Sequence, residues 1–280
     1  VNLTNSAGLG WNAASASPNA TPALKKILAA VTPSTNLLWD VPSIGGAFAL
    51  NLSRHALGEP HLRSEAAGTI QHTPGLRLID ILGVRYITTA SPLTMEGLRL
   101  LQHDSENELY FYSNDMAEKR FQIFDEVQAV ATKEAAFEEL TKLKQRRLIV
   151  EADAETLKTL MGASDLTTKA QQRTASMTFT VTKAASDNYV FDVDATRGGW
   201  LFIADNMYPG WIATLDGKPT PLFAAQLMGK AVWVPTGKHL VEVRFESRSF
   251  RLGLAITIAT LGIVFCLLTI IGRRRFASSR

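Results

Sequence analysis

Residues 252–272 read LGLAITIATLGIVFCLLTIIG. The run carries no charge and is about 21 residues long, matching the ~20 that an α-helix needs to cross the hydrocarbon core of a bilayer. A helix suits that place because each backbone N–H finds its acceptor within the segment. Arg251 stands at one edge and Arg273, Arg274 and Arg275 at the other, where long basic side chains reach the headgroups. The competing reading is a helix buried in a protein core, but such helices rarely run this far without a polar break. The expectation is therefore a transmembrane helix over 252–272 and a basic tail over 273–280. The arginine cluster and Arg280 place that tail in the cytoplasm, although Arg244, Arg248 and Arg251 on the other side weaken the asymmetry.

What precedes the run has the composition of a soluble protein: 46% of the chain is apolar and 20% charged, both ordinary for globular domains. Some ~250 residues can hold one large or two modest domains. The net charge of +3 is small and its basic residues are scattered, so the chain lacks the electrostatic footprint of a nucleic-acid binder. Its single cysteine, Cys266, lies inside the apolar run. No intrachain disulfide can form, and packing alone must hold the soluble part. That fits a bacterial envelope protein better than a eukaryotic ectodomain. The chain opens on Val1 with no basic and apolar export signal. The simplest expectation is an upstream portion with transmembrane helices of its own; the alternative is a mature form released from a signal peptide.

Residues 1–20 are rich in Asn, Ala, Ser, Thr and Gly and read as a loose lead-in. From 21 to 168 the pattern is mixed α and β. Thr21 and Pro22 suit the start of a helix, whose face carries Leu24, Ile27, Leu28 and Val31; a short strand follows at Leu37, Leu38 and Trp39. Residues 74–82 predict a second helix stopped by Gly83, and 84–89 a strand. Residues 98–101 and 108–112 form the arms of a hairpin, and 121–130 reads as one strand. Thr132 caps a helix bearing Ala136, Phe137, Leu140 and Leu143. A strand at 148–150 leads to a helix capped by Asp153.

A polar stretch at 167–173 reads as a linker. Over 171–249 the period changes to two. Met177, Phe179 and Val181 alternate with threonines, Tyr189, Phe191 and Val193 with mostly polar residues, and Val241, Val243 and Phe245 with Glu242 and Arg244. Strands of this kind bury one face and wet the other. Turn signals separate them, among them Pro209-Gly210, Asp216-Gly217 and Thr236-Gly237. The expected fold class is α+β: a mixed α/β N-terminal region, a C-terminal antiparallel β-sandwich, and one C-terminal transmembrane helix. The short junction at 247–251 holds the sandwich close to the bilayer surface.

The segment 200–251 carries three turns, YPGW at 208–211, LDGK at 215–218 and VPTGKH at 234–239, followed by a strand that runs into the final helix. In these it resembles the C-terminal end of the YfhO-like family of bacterial polytopic membrane proteins. LIDILGVRYIT at 78–88 resembles the family as well, and VPSIGGAFAL at 41–50 more weakly. That family is similar to glycosyltransferases that draw on polyprenyl-phosphate sugars to decorate cell-envelope polymers. In such enzymes the acidic catalytic residue sits in a first outer loop that has no counterpart here. The resemblance thus implies an enzyme for the whole protein and an accessory or acceptor-binding role for this part. Its implied partners are membrane lipid, the upstream transmembrane portion, and a lipid-linked sugar or envelope polymer.

Few residues qualify as chemistry. Asp192 and Asp194 share a strand face, and Glu138 and Glu139 a helix face; both pairs read as solvated, since acid–base work needs a cleft and a perturbed environment. His55, His61, His72, His103 and His239 match no zinc spacing. No G-x-S-x-G elbow, phosphate loop or dinucleotide fingerprint occurs, and no cofactor is expected. The aromatic group Trp200, Tyr208, Trp211 and Trp233 stands near Asp205 and Asn206. Sugars stack on exposed rings while their hydroxyls need planar polar partners, which makes Tyr208, Trp211, Asp205 and Asn206 the candidate glycan contacts. The plainer reading has these rings filling the core or anchoring the domain at the membrane interface. The alternative function is a non-enzymatic, membrane-tethered interaction or scaffold module.

Overall fold

The computed structural model describes residues 57–58, 61–62, 64, 75–89, 91–106, 108–161 and 177–277, with side chains of the final helix described over 249–265. The expected lead-in, the helix and strand at 21–39, the weaker match at 41–50 and the linker at 167–173 lie outside these residues.

The LIDILGVRY stretch forms a short helix α1 (Leu78–Ile81) that ends at Gly83, whose φ of +70° is a left-handed conformation that glycine adopts freely. It leads into strand β1 (Tyr86–Thr89). The hairpin β2 (Leu98–Asp104) and β3 (Leu109–Asn114) follows, giving a three-stranded sheet of order β1-β3-β2. What joins α1 to this sheet is a buried polar knot. Arg77 is 2% and Asp80 0% exposed. Asp80 accepts from Arg77 Nε at 2.6 Å, from Arg77 Nη2 at 3.0 Å, from Asn114 Nδ2 at 2.8 Å and from the Gly75 N–H at 2.9 Å.

The stretch expected as one strand over 121–130 is two, β4 (Phe121–Phe124) and β5 (Val127–Val130), broken at Asp125-Glu126. Helix α2 (Lys133–Thr141) begins where expected, with Thr132 Oγ1 accepting from the Ala135 N–H at 3.2 Å. Strand β6 (Leu148–Glu151) pairs parallel with β5. Helix α3 (Ala154–Met161) starts with Asp153 Oδ1 accepting from the Thr156 N–H at 2.7 Å.

The second half supplies β7 (Met177–Ala184), β8 (Asn188–Ala195), β9 (Gly199–Ile203), β10 (Trp211–Leu215), β11 (Lys218–Thr220), β12 (Phe223–Ala225), β13 (Gly229–Val234) and β14 (Gly237–Phe245). Five of them form an antiparallel sheet of order β11-β10-β14-β8-β7. The other three join strands from the first half in a six-stranded sheet of order β4-β9-β13-β12-β6-β5. The fold is α+β and sandwich-like, and its second sheet draws on strands from both sides of the expected boundary at 168–171.

That strand order forces a shape. β4 and β5 occupy opposite edges of the six-stranded sheet, about 24 Å apart if it were flat. Yet only three residue steps, which reach about 10 Å at most, connect Phe124 to Val127. The sheet must roll until its edges approach. Its inner side holds Phe124, Leu148, Val150, Trp200, Phe202 and Trp233 in one core cluster. Its outer side lends Leu201, Ile203, Val232 and Val234 to a second core, where they meet Tyr189, Phe191, Val193, Val241 and Val243 of the five-stranded sheet. β9 and β13 are therefore buried on both faces, which is why GWLFI and, apart from Lys230, GKAVWV read as apolar runs and show no alternation.

β14 passes into helix α4 (Arg248–Ala277) after two residues. Its described side chains are bare: Phe250, Leu252, Ile258, Leu261, Ile263 and Phe265 are each more than 60% exposed. Among the described residues no helix is long and apolar enough to cross a membrane. The side chains described for α4 stop at Phe265, short of the end of the apolar run at Gly272.

Candidate functional site

The four candidate glycan contacts all fall on one connection, from the end of β9 to the start of β10, at the edge where the two sheets meet. Ile203 ends β9, the chain turns through Asp205 to Gly210, and Trp211 opens β10 in the opposite sheet. The structure brings Asp205, Asn206 and Trp211, but not Tyr208, around residues that sequence reasoning passed over: Lys230 on β13, Tyr189 on β8, and Arg120 just before β4.

Lys230 is the centre. Its side chain is 0% exposed. Its ammonium donates to Asp205 Oδ2 at 2.9 Å, to the Asp205 carbonyl at 3.2 Å and to the Asn206 carbonyl at 3.1 Å. All three N–H bonds of an ammonium are thereby used. The Tyr189 hydroxyl donates to the same Asp205 oxygen at 2.9 Å and accepts from Arg120 Nη2 at 2.7 Å. Trp211 lies parallel to Tyr189, with ring centres 5.6 Å apart.

Electrostatics follow from this enclosure. Burial pushes the Lys230 ammonium down to about 8, with the charge and hydrogen bond of Asp205 opposing the fall. Burial also pushes the Tyr189 phenol well above its ordinary value, and the negative charge of Asp205 adds to that shift. The cluster holds a lysine cation and a neutral phenol at neutral pH, and its carboxylate is committed to both.

This decides what each candidate has left to offer. Of the Asp205 carboxylate, Oδ2 is taken by Lys230 and Tyr189 and Oδ1 accepts from the Asn206 N–H at 2.9 Å. Trp211 is half-buried, covered by Tyr189 and Lys230 and met edge-on by Phe245 with centroids 5.7 Å apart. Asn206 and Tyr208 are exposed, and Tyr208 leans on Phe245 with ring centres 6.1 Å apart. Trp200 and Trp233 belong to the inner core. Lys230 was invisible in sequence because a lone lysine within GKAVWV looks like the wet position of an edge strand. Only the two-sided burial of β13 reveals it.

The carboxylate pair Asp192 and Asp194 lies on the exposed face of β8. With Thr178, Thr180 and Lys238 it lines a shallow depression of about 480 Å³. The register places Thr178 opposite Asp194 and Asp194 opposite Lys238, at the end of β14 away from α4. Glu138 is paired with Lys142 on the surface of α2. Of the histidines, His61 meets Phe137 edge-on, His103 stacks on Tyr110 and His239 bonds Asp216; His55 and His72 lie outside the described residues. Among the described residues no three His, Cys, Asp or Glu side chains gather to hold a metal ion. The chain matches no protein-family model, no curated protein and no solved structure.

Proposed function

We propose that this chain is the extracytoplasmic part of a bacterial integral membrane protein, tethered through α4, and that it serves envelope sugar transfer as an accessory, acceptor-holding module. The observation that carries the tether is the bare surface of α4. Every residue of α4 from Leu252 to Phe265 is exposed, all are uncharged, and none belongs to either core cluster. A helix apolar on all sides needs lipid or other helices to cover it. Two hydroxyls of its apolar stretch are satisfied within the helix: Thr257 donates to the Gly253 carbonyl and Thr260 to the Ile256 carbonyl, both at 2.9 Å, as a hydrocarbon surround demands.

The accessory role is supported by the YfhO-like turns and by the position of the depression on the five-stranded sheet. Seven steps of β14 separate Lys238 from Phe245, so the depression stands about 23 Å beyond the root of α4. Its threonine hydroxyls, carboxylates and amine suit a hydroxyl-rich polymer held above the membrane. In this reading the donor, a polyprenyl-phosphate sugar, belongs to the upstream transmembrane portion.

Two measurements test the proposal. Alkaline carbonate should leave the full chain in bacterial membranes and release a chain ending at Glu246; release of both removes the tether. In the full-length protein, Thr180→Ala with Asp192→Ala should lower sugar transfer to the acceptor polymer. Unchanged transfer would favour the second reading, a tethered scaffold module. That reading is supported by the commitment of Asp205 and Trp211 to internal packing.

A further inference from the structure

We infer, building on the membrane tether proposed above, that the turn at 207–210 is a foot seated in the lipid headgroup layer, with Tyr208 and Phe250 as its aromatic anchors. The sheet register fixes which end of the sandwich meets lipid. β14 runs into α4, so Phe245 marks the membrane end, and Phe245 is paired across the sheet with Trp211. The Glu246 N–H donates to the Gly210 carbonyl at 2.7 Å. The turn is thus bonded to the chain two residues before α4 begins.

The heights agree. From Arg248 to Leu252 the helix rises about 6 Å at 1.5 Å per residue. A headgroup layer is about 5–7 Å deep on each side of the hydrocarbon. If Leu252 opens the hydrocarbon segment, Arg248 lies at the outer edge of the headgroups, and the turn held by Glu246 lies beside it. A side chain with an apolar body and a polar tip, as Tyr208 has, favours that level, and the wholly apolar ring of Phe250 suits its hydrocarbon side. Tyr208 is 45% exposed and Phe250 68%, so both rings are free to enter that layer. Arg251, 76% exposed, sits one residue beyond Phe250 and 3.8 Å from the Glu246 carboxylate, so its charge stands at the level of the turn. The occupant is the bilayer itself, and the turn sets how the sandwich stands on it.

The test uses the full chain with Cys266→Ser and one new cysteine at a time, carrying a small fluorophore. The positions are Tyr208→Cys, Ile258→Cys and Lys238→Cys. Each protein is reconstituted in phosphatidylcholine–phosphatidylglycerol vesicles containing a headgroup-nitroxide lipid. The label at 208 should be quenched several-fold more than the label at 238. Quenching of a second set, with the nitroxide deep in the acyl chain, should appear at 258. A label at 258 quenched by the deep nitroxide, with 208 no more quenched than 238, overturns the foot and leaves the tether standing. Absence of quenching at both 208 and 258 overturns both.

Discussion

The Nζ of Lys230 stands 3.7 Å from the centre of the Trp211 ring, so a cation of one sheet rests on an aromatic face of the other. Asp205, 27% exposed, completes the enclosure from the β9–β10 connection. The two charged partners are unequal, because water reaches one of them. Removing the lysine leaves a carboxylate that keeps the Tyr189 hydroxyl and can be rehydrated. Removing the carboxylate leaves an ammonium with no water and two carbonyls. Lys230→Met should cost about 2 kcal/mol and Asp205→Ala about 3–4 kcal/mol. Chemical denaturation in detergent would measure both; an Asp205→Ala cost equal to or below that of Lys230→Met would contradict this account.

The same enclosure makes stability depend on pH in an unusual direction. Lys230 titrates near 8 in the folded chain against an ordinary 10.5. Between those values the unfolded chain binds more protons, so stability rises with pH. Tyr189 acts the other way: its folded value is raised above an ordinary 10.0, so its contribution is complete below that and fades above it. The window for the lysine effect is thus pH 8 to 10, with a gain of about 2 kcal/mol. Melting midpoints at pH 7.5 and 9.5 should separate in the native chain and converge in Lys230→Met.

Asp80 presents a sharper case, because its partner is as buried as it is. Its carboxylate accepts both Arg77 donors, Asn114 Nδ2 and the Gly75 N–H. Asp80→Ala leaves a guanidinium that is 2% exposed with no counter-charge and the Glu96 carbonyl as its remaining partner, and the cost should reach about 3–5 kcal/mol. The hairpin β2–β3 should loosen first, since Asn114 is its link to α1. Hydrogen exchange at the amides of Tyr112 and Asn114 would register this, and unchanged protection there would contradict it.

Much of the five-stranded sheet could be read directly. β8 and β14 alternate because one face is wet, whereas β7 does so only to Phe179 and exposes Val181; LDGK closes β10 onto β11 with a two-residue loop whose Asp216 and Gly217 have φ of 52° and 76°, the left-handed pair that Asp-Gly hairpins require. The six-stranded sheet was hidden for the opposite reason. Burial on both faces erases the period of β9 and β13, and the break at Asp125-Glu126 sends β4 and β5 to opposite edges with no change of composition. The candidate site was half legible. Aromatic and planar polar residues pointed to the β9–β10 connection, but the partners that consume Asp205 and Trp211 come from β8 and β13. Only the meeting of two sheets brings them there.

Gly210 and Gly217 both have left-handed backbones, with φ of +117° and +76°, yet their surroundings differ. A Cβ on Gly217 would meet nothing within 4 Å, whereas one on Gly210 would lie 2.7 Å from Phe245 Cε2 and 3.0 Å from the Glu246 carbonyl oxygen. Gly217→Ala should therefore cost only the backbone strain, about 1 kcal/mol. Gly210→Ala adds a collision with the Phe245 ring and a tight approach to the Glu246 carbonyl oxygen, and its cost should reach about 2–3 kcal/mol. The damage should also be local: the Glu246 N–H to Gly210 carbonyl bond would open, and with it the link between the turn and the root of α4. Paired melting measurements with exchange at the Glu246 amide would separate the two variants. Equal losses of stability, with the Glu246 amide still protected in Gly210→Ala, would show that the close packing of this turn against β14 does not set its shape.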